Sequence, residues 1–241
     1  MPLALVTGAG IRVGRAVALA LAHAGHDLLL HANASRGPLE EVAREVRALG
    51  RTAHLYTADL SSPEAVDALG REVAAAHPAL DVLVHNAGLF EKVPFGDIGR
   101  EAYRRMQAVN LEAPFFLTQA LLPLLRAAPA PHVVHVGDVA GERPIPGYAH
   151  YSVSKAGLLM LTRALAVELA PHVRVNAVSP GTVAFPPDFS EAARAGVLAR
   201  IPLKREGSVE DIARAVVFLT RDAPYVTGHV LNVDGGRSSG L

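Results

Sequence analysis

The stretch Leu3-Ala4-Leu5-Val6-Thr7-Gly8-Ala9-Gly10-Ile11-Arg12-Val13-Gly14 stands near the start of the chain. It begins as an apolar run of strand length and passes through closely spaced glycines into an amphipathic helical pattern over 12–24. Glycines let a backbone turn tightly and approach a bound group closely, and a helix start presents free N–H groups with a partial positive charge. Strand, glycine-rich turn and helix in this order read as the first half of a βαβ unit that holds a diphosphate. The alternative is an ordinary βα turn.

The alternation continues along the chain. Leu3–Thr7, Asp27–His31, Thr52–Thr57, Asp81–His85, His132–Val136, Val173–Val178 and His229–Val233 read as strands. Helical patterns lie near 12–24, 38–49, 63–76, 100–127, 150–170, 188–200 and 209–220. Several strands are near-continuous apolar runs, as strands covered on both faces are. The expected fold is α/β: a doubly wound, seven-stranded parallel sheet flanked by helices, in a single domain over 1–241. Ligands in such sheets sit beyond the carboxyl ends of the strands. That directs attention to Thr7–Gly14, His31–Arg36, Ala58–Leu60, Asn86–Phe90, Gly137–Arg143 and Ser179–Phe189.

Composition narrows the function classes. The chain has 241 residues, 23 basic and 23 acidic side chains, and no Cys or Trp. Zero formal charge offers no footprint for nucleic acid or an anionic membrane. Without cysteine there is no disulfide framework, thiolate nucleophile or Cys-ligated metal. No apolar run reaches the roughly 20 residues that span a bilayer. MPLALVTGAG lacks the basic region of a signal peptide, so a cytoplasmic location is expected. The histidines, among them His23, His31, His85, His132 and His135, show no metal-ligand spacing. The expected partner is a small molecule, with no metal, nucleic acid or membrane.

Two further segments bear on chemistry. His31-Ala32-Asn33-Ala34-Ser35-Arg36 follows the second strand and contains no acid, where NAD sites place Asp or Glu for the ribose hydroxyls. Asn33, Ser35 and Arg36 instead suit a 2′-phosphate, which implies NADP(H); the alternative for Arg36 is a solvated loop charge. Asp59-Leu60 follows the third strand, where Asp59 either caps the adenine or caps a helix. Tyr151 and Lys155 are four apart and share a helix face. A lysine ammonium beside a phenol favours the phenolate, so a lowered Tyr151 pKa is expected, suited to proton exchange during hydride transfer.

Thr7–Gly14, His85-Asn86-Ala87-Gly88, Asn110, the Tyr151/Lys155 pair, Ser179-Pro180-Gly181-Thr182 and Val233-Asp234-Gly235-Gly236 together resemble the short-chain dehydrogenase/reductase family. The match runs in order from Leu3 to about Gly236. The resemblance implies a Rossmann-type sheet whose cofactor half runs to about 136 and whose substrate half covers 137–241, bound NADPH or NADP+, and a homodimer or homotetramer. It places Gly8, Gly10, Arg12, Val13 and Gly14 at the phosphates and Asn86, Ala87 and Gly88 on the adenosine side. Lys155 holds the nicotinamide ribose, Pro180, Gly181, Thr182 and Val183 lie near the nicotinamide, and Asn110 shapes the helix that carries a relay water.

The departures from that pattern are specific. Arg12 stands where the family's turn has its middle glycine. Asp138 stands thirteen residues before Tyr151, where most members have serine. An ionised carboxylate only accepts hydrogen bonds, so Asp138 repels a developing alkoxide unless protonated. Arg12, Phe90 and Asp138 together are similar to the pteridine reductases. That subgroup implies a C=N substrate stacked on Phe90, with Arg12, Asp138 and Tyr151 around it. Reduction of a 3-oxoacyl thioester or another ketone is the alternative, and a non-catalytic NADP(H)-binding sensor is a third. Pro186 and Pro187 are expected to stiffen a lid near 184–200.

Overall fold

The computed structural model describes residues 1–185 and 189–239, so Pro186, Pro187 and Asp188 lie outside the described residues. Seven strands, β1 (Leu3–Val6), β2 (Asp27–Ala32), β3 (Ala53–Thr57), β4 (Val82–His85), β5 (His132–Val136), β6 (Arg174–Pro180) and β7 (Val230–Val233), form one sheet in the order β3-β2-β1-β4-β5-β6-β7. Every pairing is parallel. The helices are α1 (Arg12–His23), α2 (Arg36–Ala48), α3 (Pro63–Ala76), α4 (Arg100–Gln107), α5 (Ala113–Ala127), α6 (Ala149–Glu168), α7 (Glu191–Leu198) and α8 (Val209–Val217). β1 pairs with β2 on one side and β4 on the other, so the strand order reverses there. The loops after β1 and β4 diverge at that point and leave a crevice at the carboxyl edge.

Strand pleating sends alternate residues to opposite faces. In β1, Ala4 and Val6 join one core with Val17, Leu21, Leu28, Leu30, Val42 and Val216, under α1, α2 and α8. Leu5 joins the other with Leu29, Leu69, Leu83, Leu117, Leu121 and Val133, under α3 and α5. Both faces are covered, which is why these strands read as continuous apolar runs.

Three element boundaries differ from the sequence reading in ways that matter to the site. The helix read over 100–127 contains a wider turn at Ala108–Glu112, where Ala113 N–H bonds to the Ala108 carbonyl, five residues back. Proline explains it: Pro114 has no N–H to give to the Asn110 carbonyl four residues back, so the α pattern breaks at Asn110. α2 begins at Arg36, so Arg36 belongs to a helix's first turn. β6 extends to Pro180, which pairs with Val233 and brings the following residues beside the end of β7.

The continuous segment Arg100–Ala127 is long and apolar enough by length and composition to cross a bilayer, with a mean hydropathy of 1.3 over its best window. Here it is a core element: Leu117, Leu121 and Leu125 are fully buried. α5 lies close on α3, where a Cβ at Gly70 would stand 2.6 Å from Ala120 Cβ. Gly70→Ala is therefore expected to lower the unfolding free energy by about 1 kcal/mol, overpacking of ~1–3 kcal/mol being offset by ~1 kcal/mol of helix propensity. Urea denaturation checks this, and an unchanged or raised midpoint would show that the two helices part freely.

Candidate active site

The turn after β1 is held by side chains from the neighbouring strand. Asn86, just past β4, donates from Nδ2 to the Thr7 carbonyl (2.9 Å) and the Gly8 carbonyl (3.1 Å). Thr7 Oγ1 accepts from the backbone N–H of Asn86 (3.0 Å) and of Ala87 (3.1 Å). Little space remains. Gly8 has φ +66°, and a Cβ there would lie 3.0 Å from Ala87 Cα; a Cβ at Gly14 would lie 2.0 Å from the Gly8 carbonyl oxygen. Gly10 is less constrained, its nearest neighbour being Pro38 at 3.4 Å. Val13 packs against the α1-side core. Arg12 is exposed and has φ +50°, so an arginine adopts a conformation that glycine takes freely. A side chain in that region costs roughly 1–2 kcal/mol.

The two helix starts nearest this turn are left open. α1 begins after Ile11 and α2 after Ser35; neither has a side-chain cap or an acid in its first turn. By contrast α3, α7 and α8 begin on Ser62, Ser190 and Ser208, each accepting a backbone N–H, and each has an acid in its first turn. The uncapped ends combine free N–H groups with positive potential, and Arg12 and Arg36 add charge to them. This arrangement fits an elongated polyanion.

At the ends of β4 and β5 a second cluster assembles. Asn110 is buried in the widened turn before α5; its Oδ1 accepts from Leu89 N–H (2.8 Å), and its Nδ2 donates to the Leu89 carbonyl (3.0 Å) and to Ser154 Oγ (3.0 Å). It thereby ties the loop after β4 to α6. α6 presents Tyr151 and Lys155, both almost fully buried. Lys155 Nζ donates to the Val136 carbonyl at 2.9 Å. Gly88 keeps the space above it open, since a Cβ there would lie 3.6 Å from Nζ. Asp138 divides its carboxyl between two donors: Oδ1 accepts from Ala140 N–H (2.7 Å), and Oδ2 accepts from the Tyr151 hydroxyl (2.9 Å). It is at once the cap of the short turn Val139–Gly141 and the partner of the tyrosine.

Burial sets the electrostatics of this cluster. It raises the Asp138 carboxyl above its ordinary range, against the opposing pull of the Ala140 N–H, Lys155, the Tyr151 hydroxyl and Arg237. It pushes the Lys155 ammonium down to about 8. The expected lowering of the Tyr151 pKa is corrected: burial, followed by the Asp138 charge, pushes the phenol well above its ordinary value of 10. The phenol keeps its proton and donates it in a hydrogen bond to Asp138, while Lys155 Nζ stands 5.9 Å from the ring centre.

Comparison with known proteins decides the family. The family pattern described as enoyl-(acyl carrier protein) reductase matches residues 8–238. A 3-oxoacyl-[acyl-carrier-protein] reductase of Synechocystis sp. is 36% identical over 237 residues, 97% of this chain and 95% of that protein. This chain is a short-chain dehydrogenase/reductase. The crystal structure of acetoin dehydrogenase from Enterobacter cloacae superposes with a TM-score of 0.90 at 32% identity, covering 100% of this chain and 96% of that one. A blue fluorescent protein from a metagenomic library, crystallised in complex with NADPH, gives 0.90 at 33% identity, covering 98% and 97%. The chain is an oxidoreductase of this family, and its open helix starts and the Lys155 ammonium fit a nicotinamide dinucleotide.

The remaining predicted residues of this oxidoreductase spread along the same edge. Asn33, Ser35 and Arg36 are exposed at the end of β2, where Arg36 pairs with Glu40 at 3.2 Å. An exposed pair of this kind is weak and yields to a better anion. Asp59 uses Oδ1 to accept from the N–H (2.9 Å) and hydroxyl (2.8 Å) of Ser61, so it caps the turn before α3. The Leu60 side chain is in the core, which leaves its backbone to face a ligand. Phe90 is 55% exposed, with one face stacked on Tyr148 (4.5 Å, 15°) and its edge region against Tyr151. Beyond β6, Gly181 N–H bonds to the Val233 carbonyl (3.0 Å), Thr182 Oγ1 accepts from Arg237 (2.7 Å), and Val183 packs against the core.

Sequence reasoning passed over four contributors: the Thr7 hydroxyl, Ser154, Tyr148 and His31. His31 is buried and lies between the Gly8 N–H (3.4 Å to Nδ1) and the Ala58 carbonyl (3.0 Å to Nε2), bridging the phosphate turn to the loop after β3. Its position at the end of β2 was the only signal. The strain at Arg12 makes a definite expectation: Arg12→Gly should stabilise the ligand-free protein by up to about 1 kcal/mol, left-handed strain of ~1–2 kcal/mol being offset by ~0.5–1 kcal/mol of glycine chain entropy. The same variant should bind NADPH more weakly. Thermal melts with and without NADPH check both; a lower melting point without the dinucleotide, or undiminished binding, would contradict the assignment.

Proposed function

We propose that this chain binds NADP(H) and reduces the ketone of a 3-oxoacyl compound to the hydroxyl. The observation that supports this reading best is the part-buried 2.9 Å bond from the Tyr151 hydroxyl to Asp138, with Lys155 beside it. A reduced nicotinamide, when held by these residues, would supply the hydride for the carbonyl carbon. Backbone N–H groups of the turn Gly8–Gly14, with Gly8, Gly10, Val13 and Gly14 shaping it, take the diphosphate together with Arg12. Asn33, Ser35 and Arg36 take the 2′-phosphate. Leu60, Asn86, Ala87 and Gly88 line the adenosine side. Lys155 holds the nicotinamide ribose, and Pro180 to Val183 position the ring's amide.

Asp138 fits a carbonyl substrate because burial favours its neutral acid. A protonated carboxyl donates a hydrogen bond to the carbonyl oxygen, as the family's serine does. Tyr151 gives its proton to the oxygen as charge develops there, and the Asp138 acid returns a proton to the phenolate, leaving a carboxylate that solvent reprotonates. Lys155 stabilises the phenolate in between. This reading takes precedence over pteridine reduction for two reasons. The relatives described above have 3-oxoacyl reductase and acetoin dehydrogenase names, and one face of Phe90, the ring expected to stack a pterin, is taken by Tyr148. A non-catalytic sensor would have no need of a buried acid, phenol and ammonium, each costly to desolvate.

Oxidation of NADPH and of NADH is measured with an acetoacetyl thioester and with a dihydropterin. The thioester is expected to be reduced faster, with kcat/KM at least about tenfold higher for NADPH than for NADH, the scale of one charged contact, and Tyr151→Phe should lose most of the activity. A preference for NADH would overturn the role of Arg36, and faster dihydropterin reduction would restore the pteridine reading.

The pH profile carries a second expectation. Reduction needs Asp138 protonated and Lys155 charged, so kcat/KM falls as pH rises through the raised Asp138 pKa and falls again past about 8 as Lys155 loses its proton. Asp138→Ser should remove the lower step, keep the upper one and retain ketone reduction. If the lower step survives the substitution, it belongs to another group.

A further inference from the structure

Arg237 follows the glycine pair after β7, where its backbone N–H bonds to the Asp234 carbonyl at 3.3 Å. Its guanidinium is only half-buried, and Nη1 donates to Thr182 Oγ1 at 2.7 Å, which anchors it at the mouth of the candidate site. The Nη2 and Nε donors make no hydrogen bond to the described residues. Among those residues it also has no carboxylate within ion-pair distance. The acid nearest in sequence is occupied: Asp234 accepts from Gly236 N–H (2.8 Å) with Oδ1 and from Ser238 N–H (2.6 Å) with Oδ2. The guanidinium charge is nevertheless felt at Asp138, which it does not touch.

We propose that Arg237 receives a carboxylate on the substrate, so that the preferred substrate of the reaction proposed above is a 3-oxo acid or a longer oxo acid whose free carboxylate reaches beyond the carbonyl. The fork of a guanidinium matches a carboxylate's two oxygens, and an anchored fork loses little freedom on binding. The charges of Lys155 and Arg237 both act on Asp138, whose half-buried carboxyl is raised toward its neutral form by burial.

This inference rests on the carbonyl-reduction reading, and its test separates the two. Acetoacetate and its neutral ethyl ester are compared as substrates of the wild type, Arg237→Met and Arg237→Lys with NADPH. Turnover of the ester by the wild type supports carbonyl reduction whatever Arg237 does. For the inference, Arg237→Met should lower the acid-to-ester ratio of kcat/KM by about tenfold or more, through KM of the acid, and Arg237→Lys should recover part of it. Binding of acetoacetate to the NADP+ complex, which has no hydride to give it, is followed in parallel by isothermal titration calorimetry, and the same substitution should weaken it by a similar factor. A ratio and an acetoacetate affinity unchanged from wild type would overturn the proposal. So would parallel losses on acid and ester, which would assign Arg237 to holding Thr182 in place.

Discussion

The buried Tyr151 hydroxyl and the half-buried Asp138 carboxyl meet in a hydrogen bond of 2.9 Å, and much of the carboxyl edge of the sheet serves to hold that contact. Burying a carboxyl, a phenol and an ammonium together is unfavourable unless each is partnered. Partners come from several elements: Ala140 N–H for Asp138, the Val136 carbonyl for Lys155, and the Ser154–Asn110–Leu89 chain that fixes α6 against the loop after β4. The break in the helix at Asn110, caused by Pro114, puts that amide where it reaches both.

A second layer of polar groups lies beneath the site and stays neutral. His85 bonds to Thr118 (2.8 Å), His135 to Thr162 (2.9 Å) and His132 to Asn176 (2.9 Å), all inside the sheet's packing. Burial, aided by the Lys155 charge, holds His135 down to about 3, and burial with Arg174 does the same for His132. Because both threonines already donate to helix carbonyls, each accepts from its imidazole, which sets the tautomer. These contacts tie β4 and β5 to α5 and α6 without adding charge near Lys155.

Much of the fold was legible in the chain because its signals are local. A strand buried on both faces reads as an apolar run, the helices repeat on one face, and the glycines at 8 and 14 stand where the backbone leaves no room for a Cβ. The site was legible as a roster: Asn86 follows a strand end, Tyr151 and Lys155 share a helix face, and Asn110 entered through the resemblance to the family. Asp138 was visible as a departure. What Asp138 does was not, because it depends on a donor thirteen residues away and on how much water reaches the pair. The direction of the Tyr151 shift was misread for the same reason: proximity to lysine is a sequence observation, whereas desolvation is a property of the packed interior.

The sequence by itself determined the order of strands and helices, the glycine turn, the absence of an acid after β2 and the set of residues able to exchange a proton. Those features follow from backbone sterics, side-chain periodicity and residue chemistry, all short-range. The tertiary structure alone decided that Arg12 takes a left-handed conformation, that Tyr148 covers a face of Phe90, and that His31 bridges two loops. It alone placed Arg237, near the end of the chain, on Thr182, where its charge is felt at Asp138. Each of these depends on which distant segments meet and on how much solvent they exclude, and neither quantity is encoded in any one stretch of residues.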